Sequence, residues 1–180
     1  MEKAKPALMY SCKIFDVFEE NVLMPNGKSI RQTWIDHKPT VAIVPINEKQ
    51  EILLVKQYRV AVKKHLLEIP AGAFNDHKEP PEECAQRELA EETGFRAGKM
   101  TKLYEGYLLA GYCNEYMYFY LAEDLVSAPL KPDEDEFIDV VPTKLAVAED
   151  LFKKGKIADT KTALGILLIV NYFKEIGNNK

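Results

Sequence analysis

A chain of 180 residues, 47% hydrophobic and 29% charged, has the composition of one soluble globular domain with a sizeable core. Its formal net charge of −4 excludes the broad basic footprint of a nucleic-acid or anionic-membrane binder, while a small anionic substrate stays open because a bound metal can reverse the local field. The three cysteines, Cys12, Cys84 and Cys113, are widely spaced and form no C-x-x-C pair, so neither a zinc site nor a disulfide framework is expected. The leading MEKAKPALMY has no apolar signal core, and the run Ala163–Val170 is too short to span a bilayer. A cytoplasmic protein, bound neither to membrane nor to nucleic acid, is the expectation.

In chain order, residues 8–37 predict short strands and turns. The strong turn signal Met24-Pro25-Asn26-Gly27 separates the candidate strands Phe18–Leu23 and Ser29–Asp36. Residues 1–38 are too few for an independent domain and are expected to pack on the main body, residues 39–180, or on a second subunit. Thr40–Ile46 reads as a buried strand, Asn47–Gln50 as a turn and Glu51–Tyr58 as the next strand. Leu66–Ile69 is short and apolar, and Pro70-Ala71-Gly72 interrupts it. Leu103–Leu109, Tyr116–Ala122 and Phe137–Val141 are further strands, the first two rich in Tyr and Phe. Helices are expected over Lys144–Lys154 and Lys161–Glu175. Strands before, between and after helices predict an α/β or α+β sandwich with a mixed sheet.

A third helix, about Pro81–Thr93, carries the chemistry. Pro80 and Pro81 suit a first turn, Glu82 and Glu83 suit the positive end of the dipole, and Gly94 suits the C-terminal stop. Glu88 and Glu92 are four apart and share a face, with Glu91 beside them. Ala85 and Leu89 form an adjacent apolar stripe. Three acids at the negative end of a helix repel one another and suggest a hard divalent cation among them; a solvated acidic face is the alternative. Arg87 and Glu91, also four apart, can pair.

Gly72, Glu79, Arg87, Glu88, Leu89, Glu91, Glu92, Gly94 and Phe95 together resemble the Nudix box, G-x5-E-x7-R-E-U-x-E-E-x-G-U, where U is bulky and apolar. Six residues rather than five separate Gly72 from Glu79, an insertion that leaves the helix face intact. Val55–Val62 with Leu66–Gly72, Asp133–Val141, the later GKIADTKT and the MPNGK of Met24–Lys28 resemble the ADP-ribose pyrophosphatase branch. The resemblance implies an α/β/α sandwich with a mixed sheet, plus a small N-terminal antiparallel sheet that makes a homodimer. It implies Mg²⁺-dependent hydrolysis of a nucleoside diphosphate sugar, ADP-ribose first, to AMP and ribose 5-phosphate, with Mn²⁺ as a possible substitute metal. Glu88, Glu92 and the backbone carbonyl of Ala71 would hold the metal, and Glu91 a second metal or its waters. The general base would come from the acidic loop Asp133–Glu136, Glu136 first and Glu134 as the alternative. Arg59 would bind the diphosphate, with Glu68 near metal waters or substrate. Trp34 would stack on the base, against an ordinary packing role. Ala110 stands where this branch usually has a proline, while Gly111 and Glu115 keep the neighbouring pattern, with Glu115 expected on the substrate. That departure keeps GDP-mannose or a broader nucleotide-sugar range open. A non-catalytic nucleotide-sugar sensor is the reading from a different class.

Overall fold

The structure is a computed structural model that describes residues 5–76, 78–130 and 137–178. Its first three strands, β1 (Ala7–Ser11), β2 (Phe15–Leu23) and β3 (Ser29–His37), form an antiparallel sheet of their own in that order. The β2–β3 turn closes through Gly27, whose φ of 79° is left-handed and whose N–H donates to the Met24 carbonyl at 2.8 Å. This sheet reaches the main body through β3. The Ile35 N–H donates to the Tyr112 carbonyl at 2.8 Å, and the His37 N–H to Asn114 Oδ1 at 2.8 Å.

The main body has two sheets. Strands β4 (Thr40–Pro45), β7 (Ala71–Ala73), β8 (Phe95–Tyr107) and β9 (Tyr116–Ser127) run in the order β7-β4-β9-β8, with β4 and β9 parallel and the other pairs antiparallel. Strands β5 (Glu51–Arg59), β6 (Lys64–Glu68) and β10 (Ile138–Lys144) form an antiparallel sheet in the order β10-β5-β6. A bridge between Ile46 and Ile52 joins the two. Helix α1 (Pro81–Thr93) covers one face; α2 (Leu145–Lys153) and α3 (Thr160–Asn178) lie on the other side.

Strand β4 is buried along its whole length, as a central strand paired in parallel must be. Its residues divide by period two. Val41 and Ile43 pack with Cys84, Ala85 and Leu89 of α1, whereas Ala42 and Val44 pack with Ile166 and Ile169 of α3. The result is the mixed α/β sandwich that the order of elements predicts. Among the described residues, no helix is long and apolar enough to cross a membrane.

Two differences from expectation have physical reasons. Ala71–Ala73, read as a simple break, pairs with Thr40–Ala42 and so satisfies one edge of the buried β4. Strand β8 starts at Phe95 rather than Leu103; a register shift between Lys102 and Tyr104 interrupts its alternation and hides its first half from a period-two reading.

Candidate active site

Helix α1 begins and ends as its sequence dictates. Proline occupies its first turn, Glu82 and Glu83 face the positive dipole end, and Gly94 closes it at φ 77° with its N–H on the Ala90 carbonyl. The apolar stripe Ala85 and Leu89 is fully buried, which turns Glu88 and Glu92 toward β7. Both acids are only 8% exposed. The Ala71 N–H donates to Glu92 Oε2 at 3.3 Å. The Glu88 carboxylate lies against Gly72, where a Cβ would come within 2.0 Å of Glu88 Cδ. Only a glycine admits the carboxylate at that spot.

Arg87 organises the other side of the cluster. Its Nε donates to Glu79 Oε1 at 3.0 Å, and its Nη1 to Glu88 Oε1 at 2.6 Å and Glu91 Oε2 at 3.0 Å. Its Nη2 reaches the Ala73 carbonyl at 3.0 Å and Glu79 Oε2 at 3.2 Å. Glu79 also accepts the Asn75 N–H at 2.6 Å, so the inserted loop is clamped to the helix. Burial opposes ionising Glu79, but the Arg87 guanidinium and the Asn75 N–H outweigh it and hold its carboxyl below the ordinary range. Burial works against the charge on Arg87 too, and Glu79 and Glu88 more than reverse it. Cys84, beside Arg87, is a buried thiol pushed up by desolvation and therefore unreactive.

The remaining expected residues are dispersed. Arg59 and Glu68 meet in a bidentate pair, Nε to Oε1 at 2.8 Å and Nη2 to Oε2 at 2.7 Å. Glu68 closes β6 just ahead of Ala71, whose N–H meets Glu92, so the pair lies beside the helix cluster. Glu115 accepts the Thr40 hydroxyl at 2.9 Å, just ahead of β9. Trp34 stays in the N-terminal sheet and stacks on Phe18, ring centroids 5.1 Å apart. Ala110 is exposed in the turn between β8 and β9, which closes through the Cys113 N–H on the Leu109 carbonyl at 2.9 Å. Glu134 and Glu136 lie outside the described residues.

Three residues without an expected role join the site: Asp159, Lys161 and Thr162 at the start of α3. Lys161 donates to Glu68 Oε2 and, at 3.0 Å, to Asp159 Oδ2. The Asp-x-x-Thr spacing at a helix start is the one available signal, since it marks an N-cap. Nothing local announces that the cap meets Glu68, 93 residues earlier.

Among the described residues, no three His, Cys, Asp or Glu side chains converge into a ready-made metal cage. The donor set nonetheless suits Mg²⁺, which is commonly held by one or two carboxylates, with water and substrate phosphate completing its shell. Glu88 and Glu92 are hard oxygen donors on one helix face, gathered over a backbone that has no side chain at Gly72. More carboxylate than cation surrounds Arg87, and a divalent ion would correct that imbalance.

Comparison with known proteins bears on this geometry. Residues 36–161 match the NUDIX domain family. The chain is 36% identical over 160 residues to an ADP-ribose pyrophosphatase of Bacillus subtilis, covering 88% of this chain and 86% of that one. It is 31% identical over 164 residues to a methanol dehydrogenase activator of Bacillus methanolicus, covering 90% and 88%. A GDP-mannose pyrophosphatase of Citrobacter koseri is 35% identical over 134 residues, covering 69% and 67%. Among solved structures, an ADP compounds hydrolase superposes with a TM-score of 0.80 at 26% identity, covering 98% of both chains.

Proposed function

The chain belongs to the Nudix family and is a hydrolase, and from that premise we propose that it splits the diphosphate of a nucleoside diphosphate sugar, ADP-ribose foremost, into AMP and ribose 5-phosphate. The observation that carries this proposal is the pair of buried carboxylates, Glu88 and Glu92, set over Ala71 and Gly72. Glu88, Glu92 and the carbonyl of Ala71 would hold Mg²⁺, with Mn²⁺ as a substitute, and Glu91 would serve a second ion or its waters. Such an ion would neutralise diphosphate charge and polarise a phosphoryl oxygen.

Each protein group then has a separate task. Arg59 orients the diphosphate, since Glu68 engages its Nε and Nη2 and leaves Nη1 for a phosphoryl oxygen. Arg87 holds Glu79, Glu88 and Glu91 in register. Glu136 takes the proton from the attacking water, with Glu134 next in line. Glu115, held by the Thr40 hydroxyl just ahead of β9, meets the substrate. Trp34, one face of which Phe18 covers, stacks its other face on the base.

Two relatives inform the choice of substrate. The ADP-ribose pyrophosphatase matches more of this chain than the GDP-mannose pyrophosphatase does, and ADP-ribose is therefore placed first. Ala110, in place of the usual proline, keeps GDP-mannose as the second reading.

Residues 1–38 form the dimer contact and residues 39–180 the hydrolase body. Leu8, Met9, Tyr10, Ile14 and Leu23, all exposed in or beside the N-terminal sheet, support a homodimer there. Three free thiols support a reducing, cytoplasmic setting. The deciding experiment is initial rates with ADP-ribose, GDP-mannose, UDP-glucose, NADH and diadenosine polyphosphates, with and without Mg²⁺. A preference for ADP-ribose that disappears on chelation is expected; equal rates across the panel would rule out a dedicated enzyme. In the same assay Glu136→Gln should lose far more kcat than Glu134→Gln, and the reverse order would move the base to Glu134.

A further inference from the structure

A lysine in the first turn of a helix sits against the positive end of the dipole. Lys161 holds that position in α3, yet its side chain is only 11% exposed. Two carboxylates account for its placement, Glu68 and Asp159. Glu68, itself 1% exposed, is shared: the oxygen that accepts Lys161 Nζ also accepts Arg59 Nη2. The same helix end is tied to the segment leading to Ala71. The Ile69 N–H donates to Thr162 Oγ1 at 2.8 Å, and Thr162 donates its N–H and hydroxyl to Asp159 Oδ2 at 2.9 and 2.5 Å.

We propose that Lys161 is a positioning residue for the diphosphate, acting through Arg59. Two cations, Arg59 and Lys161, face two carboxylates, Glu68 and Asp159, so the cluster is neutral as it stands. Without Lys161, Glu68 would face Arg59 alone and the cluster would carry a net negative charge, which opposes an incoming diphosphate. Lys161 also holds the same Glu68 oxygen that Arg59 Nη2 uses, and that fixes the direction of the guanidinium fork. This role rests on the assignment of Arg59 to the diphosphate.

The test compares Lys161→Met, Lys161→Gln and Lys161→Arg, each also made on an Arg59→Met background. Two readouts are taken: kcat and KM for the best substrate of the panel, and the calorimetric Kd for inorganic pyrophosphate with Mg²⁺. Circular dichroism selects the folded variants, and Lys161→Gln serves where Lys161→Met fails to fold. Loss of the Lys161 charge is expected to raise KM and Kd about tenfold while kcat changes less than about threefold. Lys161→Arg should restore both constants to within about threefold, and the neutral variants should cost little once Arg59 is gone. A fall confined to kcat, an additive double-mutant cycle, or no pyrophosphate binding by the unsubstituted protein would overturn the proposal. If the unsubstituted protein binds pyrophosphate with a non-additive cycle but cleaves no substrate of the panel, the positioning role stands and the hydrolase substrate assignment falls.

Discussion

Two arginine clusters flank the β7 strand, and they are built on different charge ratios, one acid-rich and one balanced. Arg87 serves three carboxylates, Glu79, Glu88 and Glu91, with nearly all of its fork inside the cluster. Arg59 shares one carboxylate with a lysine, and its side chain stays 41% exposed. The first cluster has negative charge to spare and the second has a cation edge to spare. A diphosphate with its metal needs both kinds of site side by side, one for the cation and one for the anion. An arginine–glutamate contact therefore says little about role until the surrounding charges are counted.

The comparison can be broken at several points. Glu92→Gln should have the largest effect, a loss of Mg²⁺-dependent kcat/KM of about a thousandfold with an unchanged circular dichroism spectrum, since on the proposed assignment it removes an ion ligand and leaves the fold alone. Turnover close to that of the parent would end the metal assignment. Arg87→Met comes next, because it leaves three mutually repelling carboxylates around a neutral side chain. It should cost about 3 kcal/mol in chemical denaturation, and added Mg²⁺ should recover part of that loss by mass action.

Gly72→Ala is a sharper probe of the same cluster. The new Cβ displaces the Glu88 carboxylate, which is the far end of a flexible side chain, so the fold adapts. Activity is expected to fall about tenfold to a hundredfold, against a stability change under about 1 kcal/mol. A stability loss as large as that of Arg87→Met would show that Gly72 serves the fold instead.

The smallest effects are on acid stability. Glu68 and Glu79 both have folded pKa values below their unfolded ones: burial opposes their ionisation, and Arg59 with Lys161 for Glu68, and Arg87 for Glu79, outweigh it. Their contribution is complete above the unfolded value of about 4.3 and is lost as pH falls through the depressed folded values. Either Arg59→Met or Arg87→Met should therefore move the acid-unfolding midpoint to higher pH, as read by tryptophan fluorescence. An unmoved midpoint in both would remove these pairs from the acid transition.

The helix face was legible before any coordinates. Pro81, the 3.6-residue period and Gly94 set its bounds at Pro81–Thr93, and the spacing of Glu88 and Glu92 put both on one side. The apolar runs of Thr40–Ile46 and Glu51–Tyr58 likewise announced β4 and β5. What stayed hidden depends on contacts distant in sequence. Ala71–Ala73 has no strand signal of its own and becomes a strand because β4 needs an edge partner. Lys161 looks like an ordinary surface lysine in the chain and is buried only because α3 brings it to Glu68. The pairing of Arg59 with Glu68 is closer in sequence and stayed hidden because the way β5 and β6 lie side by side sets it. Local chemistry specifies the Glu88–Glu92 face, and tertiary packing specifies how Lys161 reaches Glu68.

The parallel pairing of β4 with β9 also governs when the site forms. Thr40 meets Met117 in that ladder, so the chain between them, including all of α1, must be looped out before the ladder closes. Long-range parallel pairing is slow relative to helix formation. During synthesis the box helix therefore emerges after β4 and β7 but before β9, the parallel partner of β4, and competence for catalysis arrives late, with the strand that follows the helix.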